Sequence, residues 1–149
     1  MAETTVLSER QLVVFELAGE QYGVDIATVR EIIQMQEITR LPGAEYFIEG
    51  LINLRGVVIP VVDLRKRFNL DVVAYNRDTR IIVIDCEGQD IGIIVDSVEE
   101  VLRIFSDAIV PPSGIVTSAG SDYLSGIARL SDRLVILLDI GRLLGYVSY

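Results

Sequence analysis

The chain has 149 residues, 50% hydrophobic and 23% charged, which is enough apolar material for one compact domain or two small lobes. Its net charge of −9 opposes binding to nucleic-acid phosphates and insertion at anionic lipid, both of which draw their affinity from cationic side chains. The single cysteine, Cys86, permits no internal disulfide and fits a reducing, cytoplasmic setting, and no apolar run reaches the length of a membrane span.

Residues 1–10 are polar, lack the apolar stretch of a signal peptide and read as a short arm. Residues 12–17 and 22–24 are β-rich runs around Ala18-Gly19-Glu20-Gln21, a hairpin whose glycine permits the turn. Asp25 is placed to cap a short helical turn through Val29, after which residues 31–38 read as extended. Pro42-Gly43 is a break, and residues 44–48 suit one helical turn. Residues 51–53 and 57–62 make a second hairpin with Arg55-Gly56 near its tip. Pro60 within it demands an edge or an open ladder position. Asp63 then caps a short helix through Phe68, and residues 69–78, polar and helix-poor, read as the seam between lobes. Strands follow at 80–86, 90–95 and 98–104, and Pro111-Pro112 opens a longer loop.

The second half repeats the first. Residues 11–33 align without a gap on 80–102, which sets Gly19 on Gly88, Val29 on Val98 and Glu31 on Glu100. Residues 50–64, from GLINLRG to the Asp63-Leu64 pair, align equally on 126–140, which sets Gly50 on Gly126 and Asp63 on Asp139. Seven extra residues separate the two blocks in the second unit. Short strands, glycine turns and brief helices predict an all-β protein of small barrels or sandwiches, with lobes of about 11–75 and 76–146 and room for strand exchange between them.

The residue inventory argues against catalysis. There is no histidine, so the commonest general base and zinc ligand are missing, and one cysteine makes no metal knuckle. No glycine-rich phosphate loop follows a strand. Asp63 and Asp139 sit where helix N-caps sit, and the adjacent Glu99 and Glu100 point to opposite faces of a strand. No cofactor or metal is expected. Twelve of the thirteen basic residues are arginine, whose planar fork suits protein interfaces and pairs bidentately with carboxylates.

Residues 52–68, INLRGVVIPVVDLRKRF, strongly resemble the signature of the CheW family, the coupling proteins of bacterial chemotaxis. YGVDIATVREII at 22–33, IGIIVDSVEEVL at 91–102 and DYLSGIARLSDRLVILLDIGRLL at 122–144 fit the same family in the same order, so the resemblance covers nearly the whole chain. It implies a single domain over 1–149 made of two five-stranded Src-homology-3-like β-barrels packed on an apolar seam. It also implies an adaptor, not an enzyme, that joins the cytoplasmic tips of methyl-accepting chemoreceptors to the regulatory domain of the histidine kinase CheA. Such a protein is cytoplasmic and recruited to receptor arrays. By position, Val29, Glu31 and Arg55 match sites of receptor coupling and kinase control; Ile32 and Val98 are added on pattern alone. Val29 is expected to stand partly exposed on a groove, and Glu31 to pair with Arg55. Service in another sensory array is the near alternative. A β-barrel ligand carrier or enzyme would need convergent polar groups in a cavity, which the sequence does not offer.

Overall fold

The computed structural model describes residues 8–111 and 123–144. Strands β1 (Glu9–Leu17) and β2 (Glu20–Asp25) are joined by Ala18-Gly19, at φ of 53° and 82°. Two positive φ values give the turn twist that matches the right-handed twist of paired strands, so the two-residue connection closes a hairpin without splaying it. The same geometry joins β4 (Ile48–Leu54) to β5 (Val57–Asp63) through Arg55-Gly56, and β6 (Arg80–Cys86) to β7 (Gln89–Val95) through Glu87-Gly88. The remaining strands are β3 (Val29–Gln34), β8 (Ser97–Phe105), β9 (Ile109–Val110), β10 (Leu124–Arg129) and β11 (Leu134–Leu138); two short helices, α1 (Leu64–Arg67) and α2 (Ile140–Leu144), follow β5 and β11.

Two expectations change locally, and one is met by its second alternative. Residues 44–48 form no helical turn. Ile48 N–H closes a tight turn on Glu45 O (3.0 Å), and Ile48 is already paired with Val62, because the ladder offers it more than an isolated turn could. The extended segment begins at Val29 and ends at Gln34, and Thr39 makes only a single bridge to Leu51. Pro60 lies in an interior strand, yet the parallel pairing of β5 with β7 starts only at Val61, so the ladder is open on that side where the proline lacks its N–H. The longer loop expected after Pro111 lies outside the described residues.

The strands form two sheets, one in the order β8-β1-β2-β11-β10-β9 and one in the order β3-β6-β7-β5-β4. A division at residue 75/76 does not describe them, since each sheet takes strands from both halves of the chain. The β1–β2 hairpin is flanked by β8 and β11 from the second half, and the β6–β7 hairpin by β3 and β5 from the first. Neither sheet closes into a hydrogen-bonded barrel among the described residues. The sixth strand of the first sheet, β9, has two residues, and its counterpart in the second is the Thr39 bridge, so the five-stranded expectation holds for the main body of each.

Burial follows from this arrangement. In the central strands alternate side chains face opposite ways, and both ways are apolar. Leu12 and Val14 pack with Ile104, Ala128, Val135 and Leu137 inside the first lobe, while Ile81 and Val83 pack with Ile52, Ile59, Val61 and Ile94 inside the second. Val13, Phe15 and Leu17 face the other way and meet Ile82, Ile84, Ile91, Ile93 and Val95 in a core shared by both sheets, closed at one end by Leu64, Ile140, Leu143 and Leu144.

The duplication is written into the backbone. Bulges interrupt β4–β5 between Ile48 and Gly50 and β10–β11 between Leu124 and Gly126, at aligned positions. Gly50 (φ 148°) and Gly126 (φ 157°) each lie under the strand or bridge that crosses them; a Cβ on Gly50 would sit 2.1 Å from Thr39 O, and one on Gly126 2.9 Å from Val110 O. Gly19 has open space instead. Gly50→Ala is therefore expected to cost at least about 2 kcal/mol in denaturant unfolding, against about 1 kcal/mol for Gly19→Ala, where only the positive φ is penalised. Equal costs would show that the Thr39 bridge yields without loss.

Candidate functional site

β3 is an edge strand, and a bulge at Arg30 sets the phase of its side chains: Val29 pairs with Ile84 and Glu31 with Val83. Ile33 packs on the core of its own lobe, so Ile32 turns outward and is 41% exposed. Glu31 shares the inner side with Ile33 but stands at the rim, where Arg55 reaches it from the hairpin tip and forms the expected ion pair. Arg55 holds φ at 53°, and its turn is tied by Asn53 Oδ1, which accepts from Gly56 N–H (2.8 Å). Beside the pair, Val57 and Val58 are exposed. An ion pair this open contributes only about 0 to 1 kcal/mol, so its consequence is the shape and charge of the edge, not stability.

The other lobe carries a counterpart that the sequence comparison did not reveal. Glu100, aligned with Glu31, pairs with Arg133 across the β10–β11 tip at 3.1 Å, beside the exposed Val101 and Leu134. It was hidden because the residue aligned with Arg55 is Ser131, so the arginine enters two positions later. The coincidence of Glu31 with Glu100 was the available signal. Glu99 is the bulged residue of β8 and bonds Ser97, so the two adjacent glutamates diverge.

Val29 and Val98 open β3 and the body of β8 just after the chain passes from one sheet to the other. Both are half-buried and pack against the rim of the shared core. The structure thus brings Glu31, Ile32 and Arg55 together on one lobe edge, with Val29 at its seam end, and puts Val98 at the equivalent place of the other lobe.

Val98 also lines a groove of about 560 Å³ between residues 73–79 and the start of β8. Its floor is a polar cluster. Asp63, 2% exposed, caps α1 by accepting from Arg65 N–H (2.9 Å) and accepts from the Tyr75 hydroxyl (3.0 Å). Burial pushes the Asp63 carboxyl above the ordinary carboxylate range, and burial likewise raises the Tyr75 phenol. Arg65 forks onto Asp96 through Nε (2.9 Å) and Nη2 (2.6 Å), and this bond pulls the Asp96 carboxyl below its usual value. Asp139 caps α2 in the same way through Arg142 N–H (3.1 Å), so the aligned aspartates share one role, though only Asp63 is enclosed. Asp63 and Asp139 are thus committed to caps, and Asp96 to a cation. Among the described residues no three His, Cys, Asp or Glu side chains gather to hold a metal, and no helix is long and apolar enough to cross a membrane.

The chain matches the CheW-like domain model over residues 11–147. It is 37% identical over 135 residues to "Chemotaxis protein CheW" of Klebsiella aerogenes, an alignment covering 91% of this chain and 81% of that one. To the protein of the same name from Bacillus subtilis it is 36% identical, with 90% and 86% covered. The crystal structure of the scaffolding protein TtCheW from Thermoanaerobacter tengcongensis superposes with a TM-score of 0.83 at 42% identity, covering 89% of this chain and 90% of that one.

The two carboxyls at the groove floor have opposite linkage to folding. Asp63 titrates higher folded than unfolded, so its contribution is fully present below the unfolded carboxylate pKa of about 3.9 and is lost as pH rises through its raised folded value. Asp96 titrates lower folded, so its contribution is present above about 3.9 and is lost as pH falls through its depressed value. Unfolding free energy followed against pH should therefore lose its decline above about pH 4 in Asp63→Asn, which keeps the cap, and lose part of its acid-side decline in Asp96→Asn. Unaltered profiles would contradict both assignments.

Proposed function

The chain belongs to the CheW-like family and is a scaffolding protein of chemotaxis, and on that premise we propose that it joins the cytoplasmic tips of methyl-accepting chemoreceptors to the histidine kinase CheA. The observation that carries this reading is the β3 edge, where Glu31 and Arg55 are paired with each other beside outward-facing Ile32 instead of converging on a cavity. A paired charge next to exposed aliphatics suits the rim of a protein interface, because the fork fixes orientation while the apolar side chains supply buried area.

In this reading Val29 and Val98, half-buried where the chain changes sheets, take the helical hairpin of a receptor. Glu31, Ile32 and Arg55 meet the regulatory domain of CheA. The protein works in the cytoplasm, drawn to receptor arrays by these contacts, and performs no chemistry of its own. The hydrogen bonds of Asp63 support that last point, since its two oxygens accept from Arg65 N–H and the Tyr75 hydroxyl and so serve the fold.

Co-sedimentation with receptor fragments, with and without CheA, tests the reading directly. Ile32→Asp is expected to weaken kinase recruitment at least about tenfold with little change in melting temperature, because the side chain is already in water. Arg55→Glu should do the same, and the reversed pair Glu31→Arg with Arg55→Glu should recover part of the loss. Full recruitment by both single variants would remove this edge from the interface; a reversed pair no better than Arg55→Glu alone would make Arg55 an independent contact.

A further inference from the structure

Among the described residues the chain passes between its two sheets at two places, from β2 to β3 through residues 25–29 and from β7 to β8 through residues 95–97. The apolar core between the sheets resists separation but gives little direction, so the angle between lobes depends on the directional bonds at these crossings.

At the β7–β8 crossing such bonds are dense. Asp96 receives both arms of Arg65, at 2.9 and 2.6 Å, and Arg65 stands on α1 behind the second sheet. The same carboxylate accepts from Ala18 N–H (2.9 Å) in the β1–β2 turn of the first sheet, and Asp96 N–H donates to Glu16 O (3.1 Å) of β1. Arg65 also ties Asp71 O (2.8 Å). One ion pair thus holds both sheets, with side chains only 15% and 27% exposed.

The duplication supplies a control for this arrangement. The ungapped alignment sets Asp96 on Ala27 and Ala18 on Glu87, and carried one residue past its second block it sets Arg65 on Gly141. At the β2–β3 crossing the carboxylate is therefore a methyl group and the guanidinium is absent. Glu87 leans toward Gly141, with Oε1 3.9 Å from where a Cβ would be, and makes no ion pair among the described residues. The nearby pairs stay within one sheet: Arg30 with Asp85 and Asp90 in the second, Arg10 with Asp25 in the first. Arg67 Nε does bond Leu143 O (3.3 Å), joining α1 to α2, and the Cys86 thiol lies 4.0 Å from Ile140 O, a weak neutral contact between β6 and α2, but neither is an ion pair and neither reaches a crossing.

We propose that the protein is a one-sided hinge: Arg65 and Asp96 clamp the β7–β8 crossing, and the β2–β3 crossing, stripped to Ala27 and Gly141, is the side that opens. The lobes then stay in apolar contact while their edges swing apart on the Val29 side more than on the Val98 side.

Two readouts on the full chain test this. In amide exchange, Ala18 N–H should exchange about tenfold or more slowly than Glu87 N–H, and Asp96→Ala, which gives the clamped site its counterpart's residue, should abolish the difference. Spin labels at Gln34→Cys and Arg103→Cys, one per lobe, with the buried Cys86 left in place, should show a distance distribution that broadens in Arg65→Gln. It should narrow when a second clamp is installed by Ala27→Asp with Gly141→Arg. Equal exchange at Ala18 and Glu87 in the unaltered protein, or a label distribution unchanged by both removing and adding a clamp, would overturn the hinge. A lower melting temperature in Arg65→Gln with no change in width would make the pair a local brace only.

Discussion

The shared core between the two sheets is the constraint from which the rest follows. Phe15 and Leu17 on one side and Ile82, Ile84, Ile91 and Ile93 on the other are wholly or almost wholly buried, and they come from strands whose opposite faces line separate lobe cores. A strand apolar on both faces cannot sit at a surface, so each central hairpin must be covered twice. The chain meets this demand by exchange. The first-half hairpin takes its flanking strands from the second half and the reverse, so neither half alone carries a complete sheet. Cooperative stability of the whole follows, since separating the halves would expose all three apolar clusters together.

Packing so demanding in the middle concentrates polarity at the margins. Each half ends its last hairpin with an aspartate that leaves the strand and caps a short helix, satisfying N–H groups that the sheet no longer reaches. In the first half this aspartate is roofed by residues 69–79 through Tyr75, and the neighbouring Arg65 reaches Asp96. Acidic residues that on paper could serve acid-base chemistry are thereby consumed by capping and by joining lobes.

What the fold leaves available is its edges. Among the described residues β3 and β8 close no ladder on their outer side, and each carries a glutamate held by an arginine from a hairpin tip, Glu31 by Arg55 and Glu100 by Arg133. Charges on an edge discourage indiscriminate strand pairing while leaving Ile32 and Val101 exposed beside them. A scaffold needs surfaces of this kind, selective and not self-adhesive, and a duplicated fold provides two that are related but unlike. The inequality of the two crossings adds a difference in stiffness to that difference in surface.

Local physics was legible in the residues. Alternating apolar runs separated by glycine turns specify strands and two-residue hairpins, because side-chain period and positive φ are properties of a few consecutive residues; Asp25, Asp63 and Asp139 as caps were readable for the same reason. The ungapped match of the halves, with Gly50 over Gly126, announced the duplication, and the lack of histidine meant that the commonest general base is missing. The ion pair of Glu31 with Arg55 was foreseeable from charge and turn position. Strand partnership was decided only by the tertiary structure: Tyr22 and Gly23 pair with Ile136 and Leu137 of β11, far along the chain, and nothing in the local sequence distinguishes that partner from β5, which carries the same signals. The pairing of Glu100 with Arg133, the roofing of Asp63 by Tyr75 and the clamp of Asp96 by Arg65 depend on the same choice. Sequence sets what each segment can bury and bond, whereas the best way to cover two-faced strands is a property of the whole chain.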